Sequence, residues 1–381
     1  MLPVFRIPKT MRAMVYRGAR DLRLETVPVP SIQPEELLVR VAVCGVCPTD
    51  IKKIHFGTVA PPRIFGHETA GTVARVGARV KQFKPGDRVA LHHHVPCLEC
   101  HACRHRAFAQ CEQYKRTGIT AGFEPAGGGY AEYVAVMPFV FPGVVRIPPR
   151  NSFLEGAMLE PVNTVLKAVK RLNLLPGDNV LVAGQGPIGL IFTRLLALQG
   201  MGVIASDLLP SRLRLAGELG AKWLVRVQKE APSGRSPKPG RSRRAAAALA
   251  HVVQRVTGDC GLDAAVLAVP ATELVEDVQT LVRGAGQVLL FSHTRRGDTA
   301  ALDLASICVD EKDLIGSYSS DFLLQPEVAR WVFSRQLDAR RLITHQFPLD
   351  QTAAAIELAA HPTSDSLKIV VCQTDGELRA V

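Results

Sequence analysis

The stretch from Asn179 to Asp207 leaves this chain few folds to choose from. Val180-Leu181-Val182-Ala183 is a short apolar run of the kind buried inside a parallel sheet. Gly184-Gln185-Gly186-Pro187-Ile188-Gly189 then opens an apolar helix that continues to Gln199, and Val203-Ile204-Ala205-Ser206-Asp207 reads as the next strand. In that setting each glycine has a task. Gly184 permits the tight turn, Gly186 lets the backbone approach a pyrophosphate, and Gly189 lets helix and strand pack closely. The helix N-terminus, with Pro187 and Ile188 in its first turn, offers free N–H groups and its dipole to phosphates. Asp207 lies 18 residues beyond Gly189, near the ~20 expected of a carboxylate on the ribose 2′-hydroxyl. A carboxylate there repels a 2′-phosphate, so the pattern predicts NAD rather than NADP. Arg212 either softens that preference, pairs with the adenine-side phosphate or faces solvent.

Strand candidates at Ala264–Ala268 and Gln287–Phe291, with helices between, extend the alternation into a doubly wound parallel sheet. The N-terminal third has a different texture. Ala13–Tyr16, Leu22–Leu24 and Glu36–Val43 read as strands separated by turns at Pro28, Pro30 and Pro34, which predicts a small, mostly antiparallel β domain. Residues 154–172 read as a helix in which Pro161 holds Glu160 at a bend. After Lys312 the pattern turns mixed, and a last strand, Leu367–Val371, is expected to return to the first domain. The fold class is therefore α/β in three segments: 1–167, a mostly-β domain; 168–311, the nucleotide-binding domain; and 312–381, the return.

Two clusters carry metal chemistry. Cys97-x2-Cys100-x2-Cys103-x7-Cys111 puts four thiols within 15 residues, enough to close a tetrahedron around a structural zinc with no open position. Upstream, Cys47-Pro48-Thr49-Asp50 and Gly66-His67-Glu68 offer S, N and O donors of the mixture zinc accepts. His67-Glu68 is not followed by the second histidine of a helical zinc-protease pair, so folding must join Cys47 to His67. Taken alone, Cys47 is as readily a packing thiol and His67 a hydrogen-bonded core histidine. Cys44, Cys260, Cys308 and Cys372 are expected to serve packing.

The net charge of +11 raises the question of nucleic acid, but its distribution answers it. Between Lys229 and Arg244 stand six Lys or Arg against the single acid Glu230, among Pro232, Ser233, Gly234, Pro237, Pro239 and Gly240. Nearly half of the excess thus sits on one loop without the interleaved aromatics that stack on bases. No apolar run approaches the ~20 residues of a membrane span, and the first ten residues lack a signal-peptide core. The expected compartment is the cytoplasm, with thiols reduced and available to metal.

Together these elements resemble the zinc-dependent medium-chain alcohol dehydrogenases, chiefly their sorbitol/polyol and threonine dehydrogenase branches. The resemblance runs from Met11 onward and rests on Cys47-x-Thr49-Asp50, Gly66-His67-Glu68, the four-cysteine lobe, Gly127-Gly128-Gly129-Tyr130-Ala131-Glu132-Tyr133, Glu160-Pro161 and the Gly184 loop with Asp207. It implies a GroES-like catalytic domain, split in sequence around a Rossmann domain, with the active site in the cleft between them. It also implies two zincs per chain, NAD, a small-molecule alcohol substrate with no nucleic-acid or membrane partner, and a homodimer or homotetramer. Cys47, His67 and Glu160 would hold the catalytic zinc, with Glu68 able to exchange with Glu160 or take its place. Thr49 would take the substrate proton, Asp50 would orient His67, and Thr164 would line the nicotinamide pocket.

His94, three residues before Cys97, is either a substrate-pocket donor or an exposed imidazole at a strand end. Two features depart from the family pattern. Lys52 stands where many relatives place a proton-relay histidine, and Pro48 stands where near relatives have glycine. The activity implied is oxidation of a polyol or related secondary alcohol to a ketone. The alternative within the class is L-threonine 3-dehydrogenase. From another class comes a zinc-stabilised nucleic-acid-binding or regulatory protein using the 229–244 loop. A zinc-free quinone reductase-like protein is disfavoured by Cys47, His67 and the lobe.

Overall fold

A computed structural model describes residues 6–92, 96–116, 126–228, 243–270, 272–292 and 297–373. The chain forms two compact units, residues 1–164 with 319–381 and residues 165–318. The first unit is built on two sheets. One has three strands, in the order Asp21–Pro28, Thr10–Gly18, Arg63–Ile64. The other has seven: Ile343–Pro348, Lys368–Cys372, Leu37–Gly45, Glu68–Val76, Arg88–Ala90 and Val145–Arg146 in order, with Tyr133–Val136 also paired to Leu37–Gly45. All these pairings are antiparallel except that of Ile343–Pro348 with Lys368–Cys372.

Leu37–Gly45 is the spine of this unit, buried along all but Arg40, which is why its sequence reads as an apolar run broken only at Arg40 rather than an alternating one. Its register with Glu68–Val76 sets Gly45 opposite Glu68 and Cys44 opposite Thr69. Cys47, two residues past the end of the first strand, is thereby carried next to His67, which immediately precedes the second. The strand Lys368–Cys372 completes the arrangement, pairing Val370 with Gly45.

The helical run expected over 154–172 divides into Phe153–Ala157 and Leu159–Val169. The first has a full capping box: Glu155 N–H donates to Ser152 Oγ, and Ser152 N–H donates to Glu155 Oε2 at 2.7 Å. The Glu155 carboxylate is buried and also accepts from Asn151 Nδ2 at 2.7 Å and from Arg335 Nε at 3.1 Å, so it ties this helix to the C-terminal return. Burial works against its charge, yet the bonds from Arg335, Ser152 and Asn151 outweigh burial and hold the carboxyl below the usual range. A carboxyl depressed in the folded state adds stability above its unfolded pKa of about 4.3, and this is lost as the pH falls through the folded value. Glu155→Gln is therefore expected to cost about 2 kcal/mol near neutral pH, discounted because Arg335 is partly solvated. Urea unfolding at falling pH should show the gap to wild type closing below about pH 4; a gap independent of pH would contradict the assignment.

The second unit is a six-stranded parallel sheet in the order Trp223–Arg226, Gly202–Asp207, Asn179–Ala183, Leu262–Leu267, Val282–Leu290, Asp313–Gly316. In chain order this is 3-2-1-4-5-6, the doubly wound arrangement whose order reverses beside its first strand. The helix Pro187–Leu198 packs against it with Leu190, Ile191, Phe192, Leu195 and Leu196 buried. Of the basic 229–244 loop, residues 229–242 lie outside the described residues, and Arg243 and Arg244 begin the helix Arg243–Thr257. No helix among the described residues is long and apolar enough to cross a membrane.

Candidate active site and nucleotide loop

Two groups of ligand-bearing side chains are drawn together in the first unit. Cys47 caps the N-terminus of the helix Pro48–Phe56, with extended dihedrals that turn the chain out of its strand and into the helix. One donor atom each from Cys47, His67 and Glu68 lies within 4.8 Å of the other two. His67 and Glu68 are buried, and Cys47 is half-buried. Asp50, in the first turn of the helix, sits with Oδ1 3.1 Å from His67 Nδ1. That contact fixes the ring and leaves Nε2 for a metal, the support that metal-binding imidazoles need. Burial would lower the His67 pKa, but the Asp50 carboxylate and the Cys47 sulfur outweigh it and raise it well above normal. Tyr130, buried, donates from its hydroxyl to Gly45 O at 3.3 Å and Asp50 Oδ2 at 3.4 Å.

Glu160 is buried in the first turn of Leu159–Val169 but lies outside the group of three. Burial, opposed by His67 and reinforced by Glu68, pushes its carboxyl up to about 7. Thr49 is half-buried beside Cys47, and Thr164 donates its hydroxyl to Pro161 O at 2.9 Å. His94 lies outside the described residues; His92 is buried, with Nε2 3.4 Å from Ser320 Oγ. Cys44, also buried, accepts from Thr69 Oγ1, and burial pushes its thiol up to about 12, so it stays a packing residue. Cys372 is buried as expected, but Cys260 and Cys308 are exposed, which corrects the packing role expected of them.

The second group is the lobe. Four thiolates about 2.3 Å from one zinc stand about 3.8 Å apart. Here Sγ–Sγ separations are 3.4 Å for Cys100–Cys103, 3.7 Å for Cys97–Cys111 and 3.9 Å for Cys97–Cys103. These donors fit that ion in kind, number and spacing. Backbone N–H groups of Glu99 and Cys100 point at Cys97 and bring its pKa down to about 7, which favours the thiolate.

In the second unit Gly184 has φ +90°, and a side chain on Gly189 would run into the Gly184 carbonyl. Gly186 caps the helix with open space where a side chain would stand. This is the cradle a pyrophosphate requires. Asp207, buried at the end of its strand, accepts from Gln185 N at 2.6 Å and Leu209 N at 2.8 Å, so it also braces the glycine turn. Arg212 is half-buried on the helix Pro210–Glu218.

Sequence reasoning missed Lys368. It is the one lysine or arginine buried among the described residues, and its Nζ donates to Glu68 Oε1 at 2.6 Å and Val46 O at 2.9 Å. The available signal was a charged residue at the head of an otherwise apolar strand.

Residues 33–148 match the alcohol dehydrogenase GroES-like domain and residues 187–334 the zinc-binding dehydrogenase domain. Sorbitol dehydrogenase of Bacillus subtilis is 29% identical over 374 residues, covering 96% of this chain and 98% of that protein. Sorbitol dehydrogenase of Mus musculus is 30% identical over 361 residues, covering 91% and 92%. The crystal structure of 2R,3R-butanediol dehydrogenase from Bacillus subtilis superimposes with a TM-score of 0.79 at 25% identity, covering 96% of this chain and all of that one. The chain belongs to the zinc-dependent medium-chain alcohol dehydrogenase family. It is an NAD-linked alcohol dehydrogenase with zinc and NAD as cofactors, acting on small molecules.

Proposed function

We propose that the chain oxidises a polyol or a related secondary alcohol to the ketone, at a zinc held by Cys47, His67 and Glu68. What carries this reading is the meeting of thiol, imidazole and carboxylate within 4.8 Å, with Asp50 behind the imidazole. Three protein donors leave a fourth position for substrate, which separates such a site from the closed four-thiol lobe. When bound, zinc supplies Lewis acidity to a hydroxyl and NAD accepts the hydride.

The chain's own residues do the rest. Asp50 keeps the His67 ring in the tautomer that presents Nε2. Thr49, half-buried one residue before Asp50, takes the hydroxyl proton. Glu160 is the reserve carboxylate, able to exchange with Glu68. The Gly184 loop, with Pro187 and Ile188, binds the pyrophosphate, while Asp207 binds the adenosine ribose and selects NAD over NADP. Arg212 flanks that adenosine end, Thr164 serves the nicotinamide end, and His94 serves the substrate. Cys97, Cys100, Cys103 and Cys111 hold the structural zinc.

The polyol assignment is supported by the sorbitol dehydrogenases and butanediol dehydrogenase that the chain resembles. NADH production should be compared across sorbitol, xylitol, 2,3-butanediol and L-threonine. A polyol or diol is expected to exceed L-threonine at least about tenfold in kcat/KM, since a site built for hydroxyls loses bonds with the wrong partner. Turnover of L-threonine alone would overturn the assignment.

The working form is a homodimer or homotetramer. Asp313–Gly316 is an edge strand of the parallel sheet, and Leu304, Val309 and Leu314 are exposed on and just before it, a surface suited to a second copy. Sedimentation at the mass of one chain would refute this. Cytoplasmic residence is supported by nine cysteines without a disulfide, two of them exposed, and cell fractionation tests it.

A further inference from the structure

Lys368 poses a question that the zinc reading does not answer. Removing an ammonium from water is unfavourable unless partners replace the lost hydration, and this one lies in the strand Lys368–Cys372, 300 residues from its partner Glu68. Its side chain is 6% exposed and that of Glu68 is 2% exposed. Both carboxylate oxygens of Glu68 face Nζ, and the Val46 carbonyl, one residue before Cys47, accepts a further bond at 2.9 Å. The carboxylate is seated against Gly45, its partner in the strand register, where any side chain would collide with Oε2. The ammonium therefore grips, from the C-terminal end of the chain, both the acidic member of the group of three and the backbone that leads into its thiol.

The charges around it explain what such a grip achieves. Cys47, Glu68, Glu160 and Asp50 bring up to four negative charges to one neighbourhood, in which Lys368 is the buried ammonium. A carboxylate bound only to metal can swing between one-oxygen and two-oxygen binding. One whose oxygens are also held by an ammonium has a fixed orientation and donates less charge. We infer that Lys368 is a positioning residue for the catalytic metal: it holds Glu68 in a single binding mode and offsets its charge, leaving the ion more electrophilic. This rests on the ligand set proposed above.

Cobalt(II) in place of zinc tests it, because cobalt's visible bands report ligand number and geometry independently of turnover. Spectra are taken as the difference from Cys47→Ser, which isolates this site from the lobe. Lys368→Met is expected to change the band envelope, because Glu68 is then free to bind through one oxygen or both, while Lys368→Arg keeps the wild-type spectrum. Glu68→Gln is expected to change the spectrum as well, and it decides the matter if Lys368→Met does not fold. A wild-type spectrum in Lys368→Met would reduce the lysine to a space-filler. An unchanged spectrum in Glu68→Gln would remove the residue through which it acts. Absence of any Cys47-dependent cobalt band in the wild-type chain would instead overturn the ligand set itself.

Discussion

Cys47→Ser is expected to lower alcohol turnover by at least about 10³-fold and to reduce bound zinc from two ions per chain to one. A serine hydroxyl stays protonated near neutral pH and is a poor zinc ligand, so the site would keep only His67 and a carboxylate. Lewis-acid stabilisation by a bound metal contributes several kcal/mol at the transition state. About 4 kcal/mol at 1.36 kcal/mol per tenfold gives the stated loss. The fold should survive, because Cys47 is half-buried at a helix cap, and NAD binding by the second unit should be unchanged. Steady-state kinetics with metal analysis checks both halves. Retained turnover with one zinc would show that the thiol is no ligand.

Cys100→Ser should have its large effect on stability rather than chemistry. Among the described residues the lobe has almost no apolar core of its own: Tyr114 and Phe108 pack on the cysteines, and little else does. Its helices are single turns such as His101–Arg104 and Glu112–Arg116, too short to persist unaided. A structural zinc in such a setting contributes about 10–16 kcal/mol to ordering its peptide, so removing one of four thiolates should release the ion and unfold the lobe. Limited proteolysis should then cut between residues 97 and 111, and metal analysis should fall to one zinc, while the Cys47 site still binds cobalt. A lobe that stays protease-resistant without its metal would contradict this account.

How much of this was legible beforehand depended on whether a residue's task is local. The glycine loop, Asp207 and the four-cysteine run declare themselves through spacing alone, because one turn or one short loop must satisfy their geometry. The spine strand was legible too, since burial on nearly its whole length leaves an apolar run broken only at Arg40. What spacing could not give was the partnership across the sheet. Glu68 rather than Glu160 joins Cys47 and His67 because strand register, not chain separation, sets Gly45 opposite Glu68. Lys368 escaped notice because its buried partners, the Glu68 carboxylate and the Val46 carbonyl, lie 300 residues or more away in sequence. Asp207 has a second task, bracing the turn through Gln185 N, which a motif read as a ligand contact does not convey. Cys260 and Cys308 are exposed: Cys260 stands in the polar turn Thr257-Gly258-Asp259-Cys260-Gly261, which argued against a packing role, whereas Cys308 sits in the apolar run Leu304–Val309, where a small thiol looks the same whether it faces in or out.

The central claim, that alcohol oxidation here depends on a zinc shared by Cys47, His67 and Glu68, is tested most directly by removing and restoring that ion. Freshly purified chain should hold two zincs and form NADH from a polyol. Dialysis against a chelator mild enough to spare the four-thiol site should leave one zinc and abolish turnover, and adding zinc back should return both. Turnover that persists after the first zinc has gone, or a purified chain that is active with no more than one zinc, would contradict it.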